Sequence, residues 1–338
     1  MLRRYYCDKL IGRAYDAYCS LENAVRAYQS ECMLYGVTAE EARQAAEAFL
    51  YDNPDVYYYA GQICDMRQES QGVRIRLNYH QCDDGKFSDA LRKITEQLDK
   101  KITSYTTDYE VAKLVYEYLA STVEGETKPY QDYLRINPNN PREQGAFMEK
   151  HGTSFSAYGA IVEKQAVCMG LAMAYKLILD RYRVESACVA GTYQNAPHMI
   201  NVVEIEGQRA FVDITKGLKD KDMPMVRYDM FLMDDKQTKK YFTANEEFGC
   251  DGTGLNYFAK NKLQFKDGFS LRRYLNSFSY QKTKGEIRFF YSGKSLDDVA
   301  LGKVIGDICP NRCGTEYDLV GYVVENGVGN CMIKKHED

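Results

Sequence analysis

Few residues of this chain can carry nucleophilic or proton-transfer chemistry, because its 338 residues include only four histidines, His80, His151, His198 and His336. Cysteine is less scarce, at eleven. One of these, Cys168, stands where the polar stretch "EKQ" gives way to "CMGLAMAYKLILD". Leu171, Tyr175, Ile178, Leu179 and Tyr182 recur there at helical spacing. A thiol in the first turn of a helix faces unpaired backbone N–H groups, which favour a thiolate and can meet a developing oxyanion. A thiolate also needs a proton partner, and only His198 opens a strand soon afterwards, in "HMINVVEIE".

That strand turns through Glu206-Gly207 into "QRAFVDIT". A two-residue hairpin loop fixes the register and sets Asp213 opposite Ile200. Side chains alternate with period two, so His198 falls on the face of Asp213 one diagonal step away, roughly 7–8 Å between Cα atoms, within reach of an imidazole–carboxylate hydrogen bond. Each residue alone has a bland explanation: a small buried thiol, a satisfied strand histidine, a turn aspartate. Their order on a helix, a strand and the adjacent strand points instead to a nucleophile, its base and an orienting carboxylate. A second oxyanion donor is sought upstream of Cys168, where Gln165 and Tyr158 both qualify.

The elements around these residues read as α+β. Helical spacing from about Tyr5 to Tyr51 gives two helices, the second opened by Thr38 as N-cap with Glu41 three residues on. "DVYYYAGQI" and "GVRIRLNYH" read as a pair of strands, followed by helices over 86–102 and 108–121. The stretch 124–153, rich in Pro, Asn and Gly, reads as a long loop. After the Cys168 helix come three strands, "VESACVAGTY", "HMINVVEIE" and "RAFVDIT". Beyond Gly268 the order is helix, strand, helix, strand, strand. The expected organisation is an N-terminal helical region with a hairpin (1–145), a core (146–267) and a small α/β unit (268–338).

The segment from Ser156 to Thr215 resembles the core of the transglutaminase-like superfamily, in which "G-x-V-C-x-G-x-A", "H-A-W-N-x-V" and "V-D-x-T-W" blocks supply cysteine, histidine and aspartate. This chain reads "QAVCMGLA", "HMINVV" and "VDITKG". The resemblance implies a papain-like fold, with Cys168 as nucleophile, His198 as base and Asp213 as orienting carboxylate. It also implies thioester chemistry on amide bonds of a peptide or protein, ending in hydrolysis or acyl transfer to an amine. Ile200 and Lys216 stand where the family commonly has tryptophan, and this chain has none. Ile200 falls on the face of His198 and is a cleft candidate, where the change from tryptophan would alter the acyl or acceptor channel; Asn201 matches the motif but points to the opposite face of a regular strand, so its expected role is structural first and at the cleft second. A different class of function, a non-catalytic binding module that keeps the fold, is separated from an enzyme by the reactivity of Cys168.

Composition narrows the remaining classes. A net charge of −4 offers no broad pull toward nucleic acid, and 45% apolar with 27% charged residues is ordinary globular composition. An odd number of scattered cysteines cannot form a complete disulfide framework, and the N-terminus has no continuous apolar segment, so a cytoplasmic protein with no membrane contact is expected. The sequence leaves the oligomeric state open. No cofactor fingerprint occurs, and no metal is expected: "CPNRC" (309–313) has no second pair, and His80 with Cys82 is too small a donor set. His151 is a further cleft candidate, and His336 lies at the terminus.

Overall fold

The computed structural model describes residues 2–61, 65–137, 140–219, 225–278, 286–312, 317–325 and 327–335. Two helices open the chain, α1 (Arg13–Arg26) and α2 (Ala39–Asp52), and the second begins with the expected capping box: Glu41 N–H donates to Thr38 Oγ1 while the Glu41 carboxylate accepts from Thr38 N–H. Between them runs a strand that the helical pattern concealed, β1 (Glu31–Tyr35). It joins β2 (Asp65–Glu69) and β3 (Gly72–Arg76) in the order β1-β3-β2, so the expected hairpin is a three-stranded antiparallel sheet.

The described part of "DVYYYAGQI", residues 55–61, is not the partner strand, and Gln62 and Ile63 lie outside the described residues. Its tyrosines are held in turns by ring packing, with Tyr57 stacked on Phe87 at 3.6 Å and Tyr58 on Tyr28 at 4.6 Å between centroids, and Tyr59 makes only an isolated bridge to Tyr79. Helices α3 (Asp84–Asp99) and α4 (Asp108–Thr122) follow close to the expected positions.

The stretch 124–153 is not a structureless loop. It holds a short strand β4 (Glu124–Gly125) and two helices, α5 (Lys128–Tyr133) and α6 (Pro141–His151). Asn140 caps α6, accepting from the Arg142 and Glu143 amides with Pro141 at the first helical position. A tight turn over 152–155 and a π-helical turn over 159–163 lead to β5 (Gln165–Ala166), which pairs in parallel with β4, and then to α7 (Cys168–Arg181).

Helix α7 is buried almost all round, with every residue from Gly170 to Leu179 inside the protein. It packs against β6 (Ser186–Tyr193) and β7 (Ala196–Ile205), which form a five-stranded sheet with β8 (Gln208–Val212), β9 (Phe231–Met233) and β10 (Phe242–Ala244), ordered β10-β6-β7-β8-β9. Helix α4 lies on α7, where Tyr175 O–H donates to Ala112 O at 3.0 Å. Fully burying each of Leu171, Ile178 and Leu179 is worth roughly 1.5–3 kcal/mol, which fixes the helix that presents Cys168. Even Lys176 is completely buried, with its ammonium donating to Arg3 O and Ser186 O, each at 3.0 Å.

The opposite side of the sheet packs Val189, Ile200, Val202 and Phe211 with Leu2 and Tyr5 of the N-terminal segment. Residues 268–335 hold the expected order of helix, strand, helix, strand, strand around their own cluster of Leu271, Leu275, Phe289, Leu301 and Ile305. Among the described residues no helix is long and apolar enough to cross a membrane.

Candidate active site

The β7–β8 hairpin is built as its sequence requires. Glu206 and Gly207 both have positive φ, 52° and 78°, the geometry of a two-residue turn whose twist matches the strands. Asn201 lies opposite Val212, so Asp213 emerges one residue beyond the ladder. His198 Nε2 and Asp213 Oδ2 are 2.8 Å apart, with side-chain exposures of 12% and 6%. The other Asp213 oxygen accepts from Lys216 N–H at 3.4 Å, and the Asp213 amide donates to Met230 O, so the carboxylate is held from both sides.

The Cys168 thiol stands beside His198 on the wall of one cavity, near enough to help raise the pKa of the ring. With Nε2 taken by Asp213, Nδ1 is the nitrogen left for the thiol. Burial alone would lower the His198 pKa, but the Asp213 carboxylate, its hydrogen bond and the Cys168 sulfur outweigh burial and raise it to about 10. The imidazolium is therefore the resting form beside Cys168 at neutral pH.

Cys168 opens α7 behind Val167, which supplies no side-chain cap. The first amides of the helix, those of Cys168 and Met169, have no intrahelical acceptor and stand ready for an oxyanion. The half-buried thiol faces a cavity of about 360 Å³ lined also by His198, Gly191, Met199 and Asn245. Its apolar wall comes from distant segments: Leu50 and Tyr51 of α2, Tyr130 and Tyr133 of α5, Phe155, and Met169. The sequence pattern did not single these residues out. The Asn140-Pro141 cap signal could have revealed α6, whose Phe147 supports Phe155 and Tyr133.

The two side-chain oxyanion candidates are not in this cavity. Tyr158 is 6% exposed and packs near Phe87, while its hydroxyl accepts from Asp83 N–H at 3.3 Å. Gln165 is drawn outward by β4–β5 pairing and lines a separate polar cavity. Ile200 and Asn201 do not line the cleft either. The cavity meets β7 at Pro197, His198 and Met199, and by residue 200 the strand is covered on both faces. Ile200 is core, and Asn201 is fully buried with its Nδ2 donating to Ala172 O at 2.9 Å. Asn201 thus ties the helix of Cys168 to the strand of His198.

His151 ends α6 with Nε2 3.1 Å from Asp132 Oδ2 and lines the polar cavity, not the Cys168 cavity. Among the described residues no group of three His, Cys, Asp or Glu could hold a metal, and Cys82 near His80 is a half-buried thiol pushed up to about 12 chiefly by burial. Cys313 and His336 lie outside the described residues. Eight described cysteines are free thiols, and burial pushes Cys188 up to about 12.

No known family profile matches the chain, and no curated protein does. Among solved structures it is similar to a crystal structure of a TGase, at 10% identity and TM-score 0.32, covering 45% of this chain and 43% of that one. It is also similar to a "putative protease" from Parabacteroides distasonis, at 7% identity and TM-score 0.25, covering 81% of this chain and 56% of the other. The chain thus spans about half the length of either structure, and both likenesses are weak.

Proposed function

We propose that the protein is a transglutaminase-like cysteine enzyme that cleaves amide bonds of peptides or proteins through a thioester. The observation that carries this reading is a single imidazole joined to a buried carboxylate at 2.8 Å through Nε2 and set beside the Cys168 thiol, at a helix N-terminus that opens on a cavity. Thiolate Cys168 attacks the amide carbon, and the oxyanion is met by the Cys168 and Met169 amides. The His198 imidazolium gives its proton to the departing nitrogen as the C–N bond breaks, leaving a thioester and a neutral imidazole. Water or an amine then attacks the thioester, His198 takes up the proton, and the thiolate leaves. Asp213 holds the ring and stabilises its charged form throughout. The aromatic and methionine lining suits an apolar side chain beside the reacting amide.

The test joins two measurements. Iodoacetamide at pH 6 should label Cys168 selectively among the thiols, and glutamine-containing and apolar-flanked peptides should be screened for release of ammonia or of a new amine terminus. Labelling together with turnover that is lost in Cys168→Ala supports the reading. A Cys168 that reacts no faster than the other thiols refutes it and leaves a binding module on the same fold.

A further inference from the structure

The Cys168 cavity does not end at α2. A second cavity, of about 400 Å³, adjoins it and shares five of its lining residues: Arg43, Glu47 and Tyr51 of α2, Ala190 of β6, and Asn245 just after β10. The shared residues come from both walls of the cleft, so both walls continue from one cavity into the other. They meet at a waist where the row 43-47-51, one side chain per helical turn, faces Asn245. Ala46 and Leu50 line only the inner lobe, which holds the thiol, and Gln44 and Ala48 only the outer one. Arg43, Glu47 and Asn245 are exposed at the waist, so the two lobes form one surface groove.

The far wall of the outer lobe is the N-terminal segment, through Tyr6, Lys9 and Leu10. That wall is firmly held. The buried Asp52 carboxylate accepts from the Tyr6 and Cys7 amides at 3.3 and 2.7 Å, and Tyr6 O–H donates to Cys188 O at 2.7 Å. The charges of the lobe are already matched, Lys9 with Glu246 at 2.5 Å and Arg43 with Glu47 at 2.6 Å and Glu40 at 2.7 Å. What it offers a ligand is uncharged. The Asn245 side-chain amide has no hydrogen-bond partner among the described residues, and Gln44, whose Nε2 donates to Glu40 at 3.0 Å, keeps its carbonyl oxygen. Amide groups supply donors and acceptors together, the set that a peptide backbone complements, and Leu10 and Tyr51 add apolar surface.

We propose, on the reading of Cys168 as nucleophile toward a peptide amide, that the outer lobe binds the polypeptide flanking that amide on one side, as an extended uncharged segment of a few residues. The enzyme then prefers amides within a chain to those of short peptides. Continuity with the thiol cavity selects this occupant, and the paired charges disfavour a strongly acidic or basic tail.

Three peptides test it: acetyl-Leu-Gln-Gly-amide, and the same core extended by Ser-Ala-Thr-Ala before the leucine or by Ala-Ser-Ala-Thr after the glycine. Each is titrated calorimetrically into the full chain carrying Cys168→Ala, so that binding is read without turnover. One extension, and not the other, is expected to tighten binding about tenfold. Gln44→Trp, which fills the outer lobe from an exposed helix position, should remove that gain, and Gln44→Arg serves if a thermal melt shows the first variant unfolded. In the chain with Cys168 intact the same extension should raise kcat/KM through KM. No gain from either extension, or a gain that survives the filling variants, would overturn the assignment. Turnover of the short peptide with no length dependence would remove the outer lobe and leave the thioester reading standing. Length-dependent binding lost on filling, with no turnover of any peptide by the native chain, would support the lobe and refute the thioester reading.

Discussion

Asp213→Asn keeps the size of the side chain and removes the charge that makes His198 basic, and a second buried histidine in the same chain shows what the ring would become. His80 is buried without a carboxylate and is lowered to about 4, whereas His198 is buried with one and is raised to about 10. The substitution should therefore carry His198 below its ordinary value near 6.5, toward that of His80. Because the folded-state value in the native chain lies above 6.5, the stabilisation it confers is fully present below pH 6.5 and is lost as pH rises through about 10. Breaking a buried pair by removing one partner costs about 3–5 kcal/mol. Urea denaturation should show a penalty of that order at pH 6 that shrinks toward pH 10.5, and imidazole proton resonances should report the lowered titration directly. If the triad is used, turnover should fall on the order of 10⁴-fold, as for the corresponding change in a serine triad, with little change in substrate binding. A penalty equal at pH 6 and 10.5, or a His198 that still titrates near 10 in the variant, would refute the electrostatic argument.

Cys168→Ala should abolish turnover while changing stability by only about 1 kcal/mol, since it trims a half-buried residue at a cavity wall; a denaturant midpoint and an activity assay decide this together. Asn201→Leu should cost about 1–3 kcal/mol by deleting the bond to Ala172 O, and should slow Cys168 alkylation by loosening α7 from β7; unchanged alkylation would mean that the tie does not position the thiol. Gly191→Ala should destabilise by about 1–3 kcal/mol, because a Cβ there would stand 2.2 Å from Thr243 O and 2.5 Å from the Phe242 ring, forcing β10 away from β6; a normal melting temperature would refute it. A chelator should leave turnover unchanged, and inhibition reversed by added metal would count against the donor-set argument.

Two parts of the site were legible because they depend on short-range geometry. The Glu206-Gly207 turn fixes the register of its hairpin, and period-two alternation then brings His198 to Asp213 whatever the rest of the chain does. The change from polar to helically spaced apolar residues at Cys168 likewise marks the first turn of α7 without reference to any distant contact. Tertiary packing decided the rest. Tyr158 and Gln165 are near Cys168 in sequence, yet ring packing draws one to Phe87 and strand pairing turns the other into a different cavity. The tyrosines of 57–59 have strand propensity, but their rings gain more from stacking on Tyr28 and Phe87 than their backbone would gain from a ladder. The walls that shape the Cys168 cavity come from α2, α5 and Phe155, whose approach depends on how whole elements pack. A hairpin specifies its neighbours through bonds between adjacent strands, whereas a cavity is what remains after many side chains from separated segments have each found a place.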